Sequence, residues 1–422
     1  MSRSLRLLLV GCGLMGLRHI QGLHEVRRHG LFDVQLAGVV DKLPERAGEA
    51  AEAAERLLGE RPKAFNELDT ALSSLQIDAA DICTEPASHN IVAEPLLEAG
   101  VSCIVEKPLS MTVRGCRRIL DAAGRGGATL AVAENYRRDP ANRLAKFVIE
   151  GGGLGRWLNA LQIVIGGGDA VLLTPWRHRA TGGILIDLLC HYTDIFNYYF
   201  GSPRRVSAFS TLLRKLRIAR TLNGESVRRS EIEAEAEDYL NATLHHEEGG
   251  VCNLLANLAA SGEGLWRRIV FLENGSLEIP MERTGQSVKI SKPLDSDYLS
   301  LKPHTLFLGQ RPGEPYRVSP QAAAEIYDRD TRTVFPDLLN GYRMDFWEAD
   351  RKLIALELAD FFRCLENGVS PETGGWEGTV AVAIVAAALE SSFSGRIVEL
   401  EDVLELRVEA YQARINQALG LI

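Results

Sequence analysis

Gly11-Cys12-Gly13-Leu14-Met15-Gly16 stands directly behind the apolar run Leu5–Val10, and this junction constrains the fold more than any other feature of the chain. A strand that runs into G-x-G-x-x-G and then into a helix opens a parallel sheet built to receive a pyrophosphate. The first glycine takes the tight turn, the second lets phosphate approach the backbone, and the third lets helix and strand pack closely. The helix start then offers unpaired N–H groups and partial positive charge to the anion. A tight turn without a ligand is the bland alternative, and the pattern of the next hundred residues argues against it. Val34–Val40, Ala79–Cys83, Ser102–Val105 and Thr129–Val132 are strand-like, and between them lie the helix-periodic segments Pro44–Leu58, His89–Ala99 and Val113–Ala123. Such alternation predicts a doubly wound parallel sheet with helices on both faces. The strands are continuously apolar, as strands buried on both sides are.

Asp41 ends the second strand, 25 positions after Gly16. A carboxylate there accepts hydrogen bonds from both ribose hydroxyls and repels a 2′-phosphate, which favours NAD over NADP. The adjacent cation Lys42 leaves NADP open.

The rhythm changes near Gly151-Gly152-Gly153. Leu158–Ile165, Val206–Thr211, Tyr239–His245, Gly250–Leu258, Ile269–Glu273 and Ser276–Ile279 read as strands with polar interruptions. Glu273-Asn274-Gly275 carries the Asn-Gly hairpin signal, so the second sheet is expected to be largely antiparallel. Helices are expected over about 183–199, 346–367 and 378–393. The division is into two domains, residues 1–134 and 135–422, with the last helices able to pack back on the first. Two stretches fit less readily. Arg204–Arg229, basic and then acidic, is expected to be a solvated loop beside a strand rather than an anion site. Gly309–Pro320, with three prolines, is expected to be a surface excursion or a lid.

The chain has 422 residues with 47 Lys plus Arg against 56 Asp plus Glu, so its balance gives no electrostatic basis for nucleic-acid binding. Seven scattered cysteines without a Cys-x-x-Cys pair read as buried thiols in a reducing compartment. Arg3, Arg6 and Leu7–Cys12 imitate a lipoprotein signal, but the apolar stretch is too short for one. Val380–Leu389 is too short to span a bilayer. The expectation is a cytoplasmic protein without membrane or nucleic-acid partners.

Glu106-Lys107-Pro108 stands just past a strand, at the carboxyl edge where open α/β sheets bind ligands. The proline holds Lys107 out of the α region and so fixes the direction of its ammonium. Asp187, His191 and Asp194 lie in an otherwise apolar helix, His191 about 40° forward and Asp194 about 20° back from Asp187. Three polar groups on one such face must find partners or line a cavity. No further histidine cluster completes a metal shell, and no metal is expected.

Together these elements resemble the glucose-fructose oxidoreductase / inositol dehydrogenase / MocA (Gfo/Idh/MocA) family of NAD(P)-dependent oxidoreductases. The resemblance runs through Gly11–Gly16, Cys83-Thr84 with Pro86 and His89, Glu106-Lys107-Pro108, Tyr136-Arg137 with Pro140, Trp176-Arg177, the Gly-Gly-x3-Asp-x3-His-x2-Asp helix and Ser394-Gly395-Arg396. It implies an N-terminal Rossmann domain and a C-terminal α/β domain whose open, mostly antiparallel sheet forms subunit contacts, giving a dimer or tetramer. It implies cofactor contacts from Gly11, Gly13, Leu14, Met15, Gly16, Asp41, Lys42, Thr84, Pro86, His89, Glu106 and Lys107. Substrate contacts would come from Lys107, Tyr136, Arg137, Trp176, Arg177, Asp187 and His191, and the Lys107–Pro108 bond would be cis. His191 would take the hydroxyl proton, Lys107 would stabilise the same oxygen, and Asp187 would orient the sugar and tune His191. Asp194 would orient the others. Thr181 departs from the third glycine of many relatives and changes the pocket mouth.

The expected activity is NAD-dependent oxidation of a secondary hydroxyl of a sugar, cyclitol or derivative. Two alternatives stand beside it. One is an enzyme with tightly held NAD that oxidises transiently for epimerisation or glycoside cleavage. The other is a non-catalytic NAD sensor, which would not need Lys107, Asp187 and His191 intact.

Overall fold

The structure, a computed structural model, describes residues 4–168, 175–223, 226–291, 307–308, 317–318, 320–336, 338 and 341–422. Six short strands, β1 (Leu5–Val10), β2 (Val34–Val40), β3 (Lys63–Phe65), β4 (Ala79–Ile82), β5 (Ser102–Glu106) and β6 (Leu130–Ala133), pair in parallel in the order β3-β2-β1-β4-β5-β6. Helices α1 (Leu14–Arg28), α2 (Pro44–Leu58), α3 (Leu68–Ser74), α4 (His89–Glu98) and α5 (Val113–Gly126) connect them. This is the Rossmann order, and the strand direction of growth reverses between β1 and β4, where the glycine turn sits. Helix α2 shows why the segment folds so: Ala47, Ala50, Ala51 and Ala54 form one fully buried stripe at helical spacing, and small side chains let the helix lie close on the sheet.

After α6 (Pro140–Glu150) come β7 (Trp157–Ile165), α7 (Ile184–Phe200), β8 (Arg205–Thr211), β9 (Leu216–Asn223), β10 (Ser226–Glu233), β11 (Tyr239–His245), β12 (Val251–Asn257), β13 (Leu265–Leu272), β14 (Gly275–Ile279) and β15 (Lys289–Ser291). A two-residue pair, β16 (Phe307–Leu308) and β17 (Arg317–Val318), then leads to α8 (Pro320–Ile326) and α9 (Arg329–Val334). Helices α10 (Phe346–Asn367) and α11 (Gly375–Ser394) and strand β18 (Val398–Glu399) come next. The second sheet runs β15-β14-β13-β7-β12-β11-β8-β18. Its pairs are antiparallel except β12 with β7, so it is mixed and mostly antiparallel. The β13–β14 hairpin turns at Glu273-Asn274, as the Asn-Gly signal predicts.

Helix α11 is long and apolar enough to cross a membrane by length and composition, but most of it is buried within the protein. Gly375 and Gly378 let it approach β6, since a Cβ on either would meet Leu130 or Val132 at under 3 Å. Helix α10 lies along α1. Gly22 faces Ile354 there, Arg351 pairs with Glu25, and Asp350 grips Arg18 of α1 while also accepting from Arg283 Nε at 2.6 Å.

The basic stretch 204–229 is corrected by the structure. Much of it is the two-stranded β9–β10 hairpin rather than a loop, and Arg217 is fully buried on Asp238 and the carbonyls of Gly168 and Leu258. A strand carrying one paired arginine inward looks, as a sequence, like a charged surface run. Residues 309–316 and 319, most of the expected excursion, lie outside the described residues.

Candidate active site

The glycine turn is built for close approach. Gly11 has φ +97°, and a Cβ on it would lie 2.6 Å from the backbone of Cys83 and Thr84. A Cβ on Gly16 would lie 2.1 Å from the Gly11 carbonyl oxygen, whereas Gly13, where α1 begins, has nothing within 4 Å. Gly13 offers no side-chain cap, so the first amides of α1 open onto that space. Leu14 is exposed beside it, and Met15 is held by Arg18. Thr84 Oγ1 is buried without a hydrogen-bond partner among the described residues. An open cradle of uncapped amides with an unanswered hydroxyl behind it fits a dinucleotide pyrophosphate.

Asp41 closes the loop from β2, accepting from Cys12 N at 2.8 Å and from Leu43 N at 3.0 Å. Lys42 is exposed, with Nζ 4.0 Å from Glu85. Pro86 starts a short turn after β4. His89 is fully buried and bridges Thr84 O to the carbonyls of Pro108 and Leu109. The expected cofactor contact at His89 is therefore corrected: burial commits its ring to tying two loops together. Glu106 is likewise buried, bonded to His19 Nε2 at 3.2 Å and accepting from Lys107 N at 2.9 Å. His19 in turn bonds Asp81.

Lys107 leaves the end of β5 through a cis Lys107–Pro108 peptide and carries its ammonium to α7. Nζ donates to the Asp187 carbonyl at 2.9 Å and to Asp187 Oδ1 at 3.1 Å. On the other side Arg177 Nη2 lies 2.7 Å from Asp187 Oδ2, and its guanidinium lies near the Trp176 ring. His191 is one helical turn beyond Asp187 on the same helix. The structure thus brings Lys107, Arg177, Asp187 and His191 together from β5, the Trp176-Arg177 turn and α7. Burial favours a neutral Asp187, but Lys107 and Arg177 outweigh it and hold the carboxyl below the usual range. Burial also disfavours the Lys107 cation, and Asp187 outweighs that in turn, so the ammonium titrates above its ordinary value.

The negative charge of Asp187 acts on His191 and favours its protonated ring, but the hydrogen bond to the imidazole comes from elsewhere: His191 Nδ1 lies 2.9 and 2.7 Å from the two carboxyl oxygens of Glu134. Glu134 is the site residue that sequence reasoning missed, although it stands just past β6 at the same carboxyl edge that pointed to Lys107. Arg137, expected to touch substrate, is buried and grips Asp194 with Nε at 2.6 Å and Nη2 at 2.5 Å. Its remaining Nη1 reaches the Glu372 carbonyl at 3.4 Å, so the group buttresses α7 instead of facing the pocket.

Tyr136 stacks on His191 with ring centroids 4.0 Å apart and planes within 5°. Arg283 sits over Tyr136, its guanidinium carbon 5.1 Å from the ring, and takes a left-handed φ of 66° to do so. Burial drives the His191 imidazole well below its ordinary range, and Lys107 and Arg283 act in the same direction. Burial pushes the Glu134 carboxyl up to about 7. A neutral imidazole with Nδ1 occupied leaves Nε2 without a protein partner among the described residues, which is the geometry of a base.

Comparison with known proteins agrees. Residues 5–134 match the family described as an oxidoreductase family with an NAD-binding Rossmann fold, and residues 142–278 match the GFO/IDH/MocA C-terminal domain. D-apiose dehydrogenase of Paraburkholderia graminis is 25% identical over 94% of this chain and 89% of its own length. Levoglucosan dehydrogenase of Pseudarthrobacter phenanthrenivorans is 34% identical, over 38% of this chain and 42% of that protein. Inositol 2-dehydrogenase 2 of Saccharopolyspora erythraea is 34% identical over 36% of this chain and 42% of its own length, so the chain matches less than half of these last two. A levoglucosan dehydrogenase solved with NADH and levoglucosan superposes with TM-score 0.73 at 22% identity, over 94% of this chain and all of that one. With both halves matched, the chain belongs to the Gfo/Idh/MocA family of NAD-dependent oxidoreductases.

Proposed function

We propose that this oxidoreductase removes a hydride and a proton from a secondary hydroxyl of a sugar, cyclitol or sugar derivative, with Lys107, Asp187 and His191 as its catalytic residues. The observation that carries the reading is the Lys107–Asp187 contact, which joins an ammonium from the nucleotide-binding sheet to a residue one helical turn before His191. NAD, when bound, accepts the hydride. Everything else falls to the chain's own groups. His191 Nε2 accepts the hydroxyl proton. The Lys107 ammonium stabilises negative charge as it gathers on that oxygen. Asp187, shared by Lys107 and Arg177, fixes the direction of both cations and offers its carboxylate to neighbouring hydroxyls. Trp176 supplies a flat apolar wall, as pyranose and cyclitol faces require. Gly11, Gly13 and Gly16, with Thr84 and Asp41, hold the dinucleotide.

In this reading residues 1–134 serve the cofactor and 135–422 the substrate. The outer face of the second sheet exposes Leu158, Phe209, Leu265 and Phe271, which supports a homo-oligomer. Seven buried free thiols support a cytoplasmic setting. The test is absorbance at the reduced-nicotinamide band with D-apiose, levoglucosan and myo-inositol, repeated with His191→Ala. Steady NADH formation that falls about a hundredfold or more in the variant is expected. Product without NADH accumulation would replace the dehydrogenase reading by transient oxidation, and full activity in His191→Ala would remove the base.

A further inference from the structure

We infer that Glu134 is the positioning residue of the reaction: it fixes the His191 tautomer and stabilises the imidazolium formed when Nε2 is protonated. This rests on the reading of His191 as base. Glu134 stands at the end of β6, is almost fully buried, and lies in contact with the Nδ1 edge of the ring through both oxygens. Burial pushes the Glu134 carboxyl up to about 7, so above that pH it is ionised and only accepts hydrogen bonds, and the imidazole facing it carries its proton on Nδ1 and leaves Nε2 bare. A second constraint comes from the ring face, where Tyr136 stacks and Arg283 backs it. Edge and face together remove the ring's freedom to turn over.

The groups around this dyad come from every neighbouring element. Lys107 and Glu106 come from the end of β5, Arg137 from the turn after β6, and Asp187 and Asp194 from α7. Arg283 comes from the loop after β14, and Glu357 comes from α10. Burial, Lys107 and Arg283 oppose an imidazolium and outweigh the more distant Asp187 and Glu106, so an anion in contact with the ring eases its protonation. Glu134 is the carboxylate bonded to that ring, since Asp187 is committed to Lys107 and Arg177 and Asp194 to Arg137.

The geometry makes the amide variant informative. Glu134 Oε1 also accepts from the Tyr136 backbone N–H at 3.0 Å. In Glu134→Gln the amide oxygen must stay with that N–H, which leaves the NH2 group facing Nδ1. Nδ1 must then accept, the proton moves to Nε2, and the base is lost. A wrong tautomer of this kind costs on the order of 10²–10⁴ in kcat. Glu134→Asp keeps an acceptor at shorter reach and should recover to within about tenfold of wild type.

The experiment measures kcat and KM with NAD and D-apiose, levoglucosan and myo-inositol across pH. It adds NAD affinity and the nitrogen chemical shifts of the His191 ring in the full chain. Expected are a kcat loss of the size above with NAD affinity within twofold, an altered acid limb, and a swap of the protonated nitrogen in Glu134→Gln. A kcat within twofold of wild type would overturn the inference, as would an unswapped tautomer or a Glu134→Asp as inactive as Glu134→Gln. If none of the three polyols turns over, the tautomer decides alone. His191→Ala separates the two readings: activity retained there sinks the base itself, while activity lost there and retained in Glu134→Gln sinks only this inference.

Discussion

The Arg137–Asp194 pair turns the buttress on α7 into a quantitative test. Its side chains are 5% and 1% exposed, so water cannot replace either partner. Removing one leaves an uncompensated buried charge, a loss of about 3–5 kcal/mol. Arg137 would keep the 3.4 Å bond to the Glu372 carbonyl and its place over the Tyr198 ring, neither of which replaces the lost carboxylate. Unfolding entropy is about 2.1 cal/mol/K per residue, so a chain of 422 residues unfolding as a unit should lose roughly 3–6 °C in Tm. Replacing both residues by an apolar pair, Arg137→Met with Asp194→Leu, should cost far less than the single losses added together, because no charge is stranded. The assay is thermal unfolding of the two single variants and the double, alongside KM for the sugar that turns over fastest. If Arg137→Met left Tm unchanged but raised KM tenfold or more, the guanidinium would be reaching substrate and the buttress assignment would be wrong.

Lys107→Met should lower kcat by about 10²–10³ at every pH tested, since the donor to the developing alkoxide is gone, while Arg177 still answers Asp187; steady-state rates check it. Asp41→Ala should weaken NAD more than NADP in a fluorescence titration, because the lost carboxylate is the group that discriminates against a 2′-phosphate; equal losses would place the ribose elsewhere. Glu357 carries the clearest pH signature. Both its oxygens are buried without hydrogen-bond partners among the described residues, and burial pushes its carboxyl well above the ordinary 4.5. The folded state therefore holds a proton that the unfolded state releases above that pH, so stability falls as pH rises from about 4.5 toward the folded value, by up to about 1.4 kcal/mol per unit. Glu357→Gln should flatten that slope in urea unfolding between pH 5 and 8.

The Rossmann half was legible because its signals are local: a glycine turn, apolar strands and an alanine stripe each state their own conformation. Short pieces such as β3 carry too few residues for a period to show. In the second half the β9–β10 hairpin was hidden by its charge, since a strand that turns Arg217 inward breaks the apolar alternation by which a strand is read. At the site, Lys107 and Asp187 with His191 were readable from strand-end position and helix spacing. Glu134 was not, because its significance lies in which ring it meets 57 positions later. Arg137 was misassigned for the converse reason: a sequence shows a cation near the pocket but not the carboxylate that has already claimed it.

Asp350 also joins the two halves. Its two oxygens hold Arg18, on the helix that begins at the phosphate cradle, and Arg283, whose guanidinium caps the aromatic pile above the imidazole. One carboxylate on α10 thus ties the helix that starts at the phosphate cradle to the arginine that backs the imidazole, so a shift of either arginine is felt by the other.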